Sequence, residues 1–303
     1  MRRYTLRQLD TFLEVARQLS MSRTADILHV TQPAISMQLR QLEMAVDMPL
    51  LEQVGRAIRL TEAGIDFQHY AIAAVAQLRQ MEDAMAQRRG LRKGKVELAI
   101  VSTAKYFVPM LLVHFRKKFP EVEVVLHVHN RETITQLLSR NEIDLVIMGS
   151  SPSNLDCLAA PFATNPMGII SAPGHPLSRR RNAPLSILSE QEFVVRENGS
   201  GTRATMERLF AQHAIKPNIV MEMTSNETIK QAVMAGMGLS FLSLRTIRHE
   251  LAAGHLVLLN MDGLPIVRHW YVTHLASKRL APAAKELKTF LVEEAGALVA
   301  LWA

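Results

Sequence analysis

The first sixty residues restrict the possible fold more than any other part of this 303-residue chain. Leu6, Leu9, Phe12, Leu13 and Ala16 recur at steps of three and four, which predicts a helix with one buried face. Ser20 or Ser22 caps a second short helix that carries Ala25, Ile27 and Leu28. His29 and Val30 stop it, and Thr31 caps a third helix with Pro33 in its first turn, where a missing N–H costs little. Ile35, Leu39 and Leu42 then share the buried face, leaving Gln32, Ser36, Met37 and Arg40 outward. Pro49-Leu50-Leu51 begins an extended segment, Gly55 allows a turn, and Arg56 and Arg59 flank Ala57-Ile58. The pattern predicts a helix-turn-helix followed by a basic hairpin, or wing.

The outward face suits the edges of base pairs. Glutamine pairs with adenine, arginine with guanine or phosphate, serine with phosphate, and methionine or proline with a thymine methyl, near a helix N-terminus where groove contacts concentrate. A solvated helix face looks much the same, so the face alone leaves both readings open. The basic hairpin behind it favours nucleic acid, with Arg56 or Arg59 reaching phosphate or the minor groove. Charge adds little. The chain carries +7 and has a pI near 9.7, but up to residue 60 eight arginines stand against six carboxylates, a net +2.

The run LRQLDTFLEVARQLSMSRTADILHVTQPAISMQLRQLEMAVDMPLLEQVGRAIRLTEAG resembles the N-terminal domain of LysR-type transcriptional regulators almost without a gap. The likeness rests on an ordered series, TADILHVTQPAIS, then QLE, PLLEQ and LTEAG. It implies DNA contacts at Thr31, Gln32, Pro33, Ser36 and Arg40 and wing contacts at Arg56 and Arg59. Met37 stands where the family often has arginine, so an apolar contact is expected there. The phrases LHVTQPAISMQLRQLE and RENGSGTRATMERLF look most like the subgroup that regulates carbon-fixation (RubisCO) operons, whose effectors are phosphorylated metabolites or nucleotides; related regulators sense carboxylates and aromatics.

From Glu62 to about Arg89 no proline occurs, and Ile65, Ile72, Val75, Leu78, Met81 and Met85 form an apolar stripe. A long helix is expected, ended by Arg88-Arg89-Gly90. Its stripe either pairs with another chain or packs on its own domain; the resemblance implies the former, as a linker helix forming dimers. After Lys93-Gly94 strands and helices alternate, with strands expected at 96–101, 122–128, 145–148, 167–171, 193–196, 219–223, 239–242 and 269–274 and helices at 108–119, 134–139 and 204–213, an α/β arrangement. The resemblance implies two periplasmic-binding-protein-like lobes joined by two crossings. The expected divisions are a winged helix-turn-helix over 1–61, a linker helix over 62–91, and an effector domain over 92–303, with lobe I at 92–161 and 269–303 and lobe II at 162–268.

Open α/β sheets bind ligands where strand ends and helix N-termini converge. Two places fit. Ser102-Thr103-Ala104-Lys105 follows the first strand; its hydroxyls and Lys105 either hold an anion or form a helix cap with a solvated lysine, and the resemblance makes it an effector wall. Glu197-Asn198-Gly199-Ser200-Gly201-Thr202-Arg203 runs from a strand toward a helix. There Gly199 and Gly201 let backbone N–H groups approach a ligand, two hydroxyls donate, and Arg203 adds charge, an arrangement suited to phosphate or carboxylate. Asn226 precedes another helix and is expected to face the cleft, whereas Gly236 and Gly238 serve a tight turn.

No GxxxxGK[ST] is present, nor a GxSxG elbow, Ser/His/Asp order or metal cluster, so no enzyme is expected. His127 and His129 share a strand face without a ligand cluster, and neither a metal nor a cofactor is expected. The one cysteine, Cys157, reads as a small core residue. With no run of about 18 apolar residues and no signal-peptide pattern, the protein is expected in the cytoplasm, away from membranes. The resemblance implies double-stranded promoter DNA, a small anionic metabolite and RNA polymerase as partners, an activator's role, and a homodimer assembling to a homotetramer. A cytoplasmic solute-binding protein without DNA regulation is the other reading.

Overall fold

A computed structural model describes residues 4–55, 57–88 and 94–301. The chain divides into an N-terminal unit that ends at residue 89 and a C-terminal unit that begins at residue 90. Expected features at Arg56, Arg89, Gly90 and Lys93 lie outside the described residues.

The N-terminal unit runs α1 (Leu6–Gln18), α2 (Met21–Ile27), α3 (Gln32–Val46), β1 (Leu51–Val54), β2 (Ala57–Leu60) and α4 (Glu62–Arg88). Thr5 opens α1 with a capping box, accepting from the Gln8 N–H while the Gln8 side chain accepts from the Thr5 N–H. Ser20, rather than Ser22, caps α2 by accepting from the Arg23 N–H. Thr31 stands at the N-cap of α3 with an extended backbone, but its hydroxyl makes no cap bond. Pro33 has no N–H to offer, and the Ala34 N–H goes to the Thr31 carbonyl. Phe12, Val15, Ile35 and Leu42 are fully buried beneath these helices, and the ring of Phe12 meets Phe67 of α4 edge-on at 5.2 Å.

The expected stripe on α4 is not the face that its own unit covers. Ala63, Phe67 and Ala71 pack into the N-terminal core and of the stripe only Val75 joins them, while Ile65, Met81 and Met85 stay exposed. At the base of the wing Gly64 closes against Leu50, where an added Cβ would fall 2.0 Å from the Leu50 carbonyl oxygen. Backbone stands on both sides of that contact. Gly64→Ala is therefore expected to destabilise the unit by about 1–3 kcal/mol, seen as a lowered Tm; an unchanged Tm would rule out so close an approach.

The C-terminal unit continues with β3 (Gly94–Val101), α5 (Val108–Lys118), β4 (Val122–His129), α6 (Arg131–Ser139), β5 (Leu145–Met148), β6 (Cys157–Ser171), β7 (Glu192–Arg196), α7 (Gly201–Gln212), β8 (Asn218–Met223), α8 (Asn226–Met234), β9 (Ser240–Ser243), α9 (Arg248–Ala252), β10 (Val257–Leu258), β11 (Ile266–Leu275), α10 (Pro282–Glu293) and α11 (Ala295–Leu301). A seven-stranded sheet has the order β10-β6-β11-β5-β3-β4, with β9 also pairing β6. The strands β3, β4 and β5 are parallel, as helical crossovers require. β7 and β8 form a second, parallel pair.

Two separate sets of cores divide this unit into lobes. Val96, Leu98, Phe115, Leu287 and Phe290 belong to the first lobe, and Phe193, Phe210, Phe241 and Leu188 to the second. β6 and β11 serve both: Phe162 and Trp270 enter the first core, Met167 and Ile266 the second. Both strands are longer than expected because they continue through the crossing. Pro161 and Pro166 hid this, since proline donates no ladder bond and reads as a strand breaker; here they pair opposite Tyr271 and Val267, beside a register shift at Trp270/Tyr271. Cys157 begins β6 half-buried, packed as expected against a core, that of Ile134, Leu138 and Val146, though at its margin. Among the described residues, no helix is long and apolar enough to cross a membrane.

Candidate functional site

On the N-terminal unit, Thr31, Gln32, Pro33, Ser36, Met37 and Arg40 are all exposed on one side of α3, with Ile35 and Leu39 buried beneath them. Two side-chain bonds fix the rotation of that face. The Thr11 hydroxyl donates to Gln38 Oε1 at 2.6 Å, and the Gln8 amide donates to Gln41 Oε1 at 3.1 Å. The Glu43 carboxylate accepts from the Leu50 and Leu51 N–H groups at 2.8 and 3.1 Å, tying the start of the wing to α3. In the wing β1 and β2 are antiparallel, with exposed Arg59 opposite Glu52. Gly55 turns the chain at φ +64°, a conformation that favours glycine.

On the C-terminal unit, a small cavity of about 40 Å³ lies between the lobes, at the ends of β3, β5 and β7. Ser102, Thr103, Asn130, Arg131 and Ser150 line it from the first lobe, Arg196, Ser200, Gly201 and Thr202 from the second, and Asn165, Arg268 and Trp270 from the crossing strands. A second hollow of about 270 Å³ adjoins it and shares Arg131, Ser150, Ser200, Gly201 and Arg268, adding Asn198, Gly199, Arg203, Glu207 and Arg208. The glycine-rich segment is less of a loop than expected. Ser200 caps α7 by accepting from the Thr202 N–H, so Gly201, Thr202 and Arg203 form the first turn of the helix. An added Cβ at Gly199, φ +81°, would meet the Glu132 carboxylate at 2.6 Å.

Charge in the cleft is unevenly compensated. Among the described residues, no carboxylate lies within ion-pair distance of Arg131, Arg208 or Arg268. Arg131 donates to the Ser151 carbonyl at 3.1 Å; Arg268 donates to the Gly149 carbonyl at 3.0 Å and to the Thr205 hydroxyl. Burial, then the charge of Arg208 and of Arg131, holds the Arg268 guanidinium below its ordinary value, and burial and Arg208 do the same to Arg131. Arginine keeps its proton regardless. Three cations held close together, Arg131 and Arg268 half-buried and Arg208 exposed, are relieved by an anion.

Several expected residues lie elsewhere. Ala104 is fully buried in the first core, and the Lys105 ammonium stands 5.2 Å from the centre of the Tyr106 ring. Neither lines the cleft. Asn226 is buried as a partner of Arg196, accepting from its Nη1 at 2.7 Å. Arg203 does line the second hollow, but it is paired with Glu207 at 2.5 Å, with Glu222 at 3.7 Å. Sequence reasoning missed Arg131, Arg196, Arg208 and Arg268. Asn130-Arg131, which joins a strand to a helix, was open to the same argument as Ser102–Lys105, but Arg208 lies mid-helix and Arg268 mid-strand, and only packing brings them there. His127 has a carboxylate beside it after all, Glu97 at 2.7 Å, yet no group of three metal-binding side chains occurs among the described residues.

A winged helix-turn-helix joined to an α/β ligand-binding unit defines a bacterial DNA-binding regulator of transcription controlled by a small molecule. The "Bacterial regulatory helix-turn-helix protein, lysR family" model matches residues 6–65 and the "LysR substrate binding domain" model residues 89–296. The chain belongs to the LysR family, whose members bind promoter DNA and small-molecule effectors. It is 45% identical to the HTH-type transcriptional regulator CbbR of Rhodospirillum rubrum, covering 94% of this chain and 95% of that one. It is 43% identical to a RuBisCO operon transcriptional regulator of Allochromatium vinosum, covering 96% of both. The regulatory domain of CcmR from Synechocystis PCC6803, solved in complex with 2-PG, is 39% identical with a TM-score of 0.63, covering 67% of this chain and 99% of that one.

Proposed function

We propose that this regulator controls a carbon-fixation operon, as an activator, in response to a small phosphorylated acid held between its lobes. The convergence of Arg131, Arg208 and Arg268, none of them ion-paired to a carboxylate among the described residues, is the observation that carries the reading. A fixed cluster of arginine forks suits a phosphate, and the adjoining hollow leaves room for a second anionic group. The Ser102, Thr103, Ser200 and Thr202 hydroxyls supply further donors, with Asn198, Gly199 and Gly201 beside them. Likeness to RuBisCO operon regulators, and to a CcmR domain that holds 2-PG, supports both the operon and the ligand class.

On the DNA side, Gln32, Pro33, Met37 and Arg40 read base edges, Met37 through an apolar contact, while Thr31, Ser36, Arg56 and Arg59 take phosphates. The uncapped Thr31 hydroxyl supports its part in this. A homodimer formed on the exposed face of α4 and assembling to a tetramer brings several such faces to an interrupted inverted repeat, in the cytoplasm and beside RNA polymerase.

Sequencing the DNA that co-purifies with the full chain tests the operon: fragments upstream of carbon-fixation genes are expected, and enrichment of unrelated promoters would overturn the assignment. Gln32→Ala or Arg40→Ala is expected to weaken operator binding about tenfold or more. Parent-like affinity in both would remove α3 as the reading helix. Arg59→Ala should weaken all duplexes alike and lower the slope of log affinity against log salt by about one; an unchanged slope would exclude a phosphate contact.

A further inference from the structure

Two further clusters of charge, one in the cleft and one beside it, are already neutralised. Arg196 makes a two-pronged ion pair with Glu197, Nε to Oε2 at 2.7 Å and Nη2 to Oε1 at 2.9 Å. The ammonium of Lys230, almost fully buried, lies 2.8 Å from both Glu227 and Glu250. Neither cluster has charge to spare for an anion. Each instead touches the opposite lobe. Arg196, at the end of β7 in the second lobe, donates through Nη2 to the Ser102 hydroxyl of the first lobe at 3.0 Å. The Tyr106 hydroxyl of the first lobe donates to Glu227 of α8 in the second, and the ammonium groups of Lys105 and Lys230 each stand over the Tyr106 ring, 5.2 Å from its centre.

We propose that these contacts form a latch that holds the Ser102–Tyr106 edge of the cleft against the second lobe before any ligand arrives, with Tyr106 and Glu227 as its positioning residues. The remaining charge of the cleft lies on the other side, at Arg131, Arg208 and Arg268, where Arg268 spans the lobes through neutral partners and an anion supplies the missing charge. The latch breaks without exposing an unpaired charge, because Lys230 keeps both carboxylates when Tyr106 leaves. It is therefore weak and reversible, as a hinge closing on a ligand requires. Burial and Glu227 hold the Tyr106 hydroxyl far above the ordinary phenol range, so it remains a donor. At Glu227 burial acts to raise the carboxyl, but Lys230 and Tyr106 outweigh it and hold it below its ordinary value, so it remains an acceptor.

Tyr106→Phe tests this, since it keeps the ring and deletes only the hydroxyl. In the full-length ligand-free protein, amide hydrogen exchange over residues 102–107 and 224–231 is expected to quicken about tenfold, with β3 to β5 unchanged. Exchange as in the parent overturns the latch. A calorimetric titration with 2-phosphoglycolate, which rests on the anion reading above, is expected to show a dissociation constant raised about tenfold at an unchanged Tm. Faster exchange with parent-like binding overturns the positioning role. A parent protein that fails to bind 2-phosphoglycolate overturns the ligand assignment instead, and exchange alone then decides the latch.

Discussion

Arg268→Ala is expected to raise the dissociation constant for 2-phosphoglycolate about 100-fold, a loss of roughly 3 kcal/mol. Arg268 sits on β11 where it crosses between lobes, and it binds the Gly149 carbonyl of the first lobe and the Thr205 hydroxyl of the second. Those neutral partners leave its charge uncompensated. Removing it also relieves Arg131 and Arg208 of a like charge, which keeps the loss below what a buried ion pair would forfeit. Arg268→Lys keeps the charge but not the fork, and is expected to recover about tenfold of the loss. Arg203→Ala, whose guanidinium already has Glu207 and Glu222, is expected to stay within about threefold of the parent. Calorimetry on the three variants checks the set; parent-like binding by Arg268→Ala would remove Arg268 from the anion site.

Phe12→Ala is expected to cost the N-terminal unit about 3–5 kcal/mol. Phe12 is fully buried between α1, α3 and α4 and meets Phe67 edge-on. Deleting the ring leaves a void among Val15, Ile35 and Leu42, which belong to three turns of two helices and cannot all move inward. A loss of that size takes much of the stability of a small domain. Operator binding should fail at growth temperature, while 2-phosphoglycolate binding persists, because the two units have separate cores. Urea unfolding followed by circular dichroism, with a ligand titration alongside, reads both. A destabilisation under about 1 kcal/mol would mean the ring is not the keystone its burial implies.

The N-terminal unit was legible because its signals are local. A helix buries what recurs at three and four residues, so Phe12, Ile35, Leu39 and Leu42 announced the core, and Gln32, Ser36, Met37 and Arg40 followed as its complement. The failures there were also local: Thr31 looked like a side-chain cap, but of the two N–H groups such a cap would serve, Pro33 has none and that of Ala34 goes to the Thr31 carbonyl. In the C-terminal unit the strands were found near their observed places, except where Pro161 and Pro166 concealed the long β6.

The sequence by itself determined that this chain carries a winged helix-turn-helix ahead of an α/β unit, and that α3 presents a polar face, because periodicity and caps act within a few residues. Only the tertiary structure decided which charges are spoken for. Lys105 and Arg203 looked like anion ligands in the chain, but folding set them beside Tyr106 and Glu207. Arg131, Arg208 and Arg268 lie on α6, α7 and β11 and carry no shared motif, and they meet because packing two lobes on common strands leaves their guanidinium groups facing one cleft. Coulomb interactions depend on distance in space, which a one-dimensional pattern does not record.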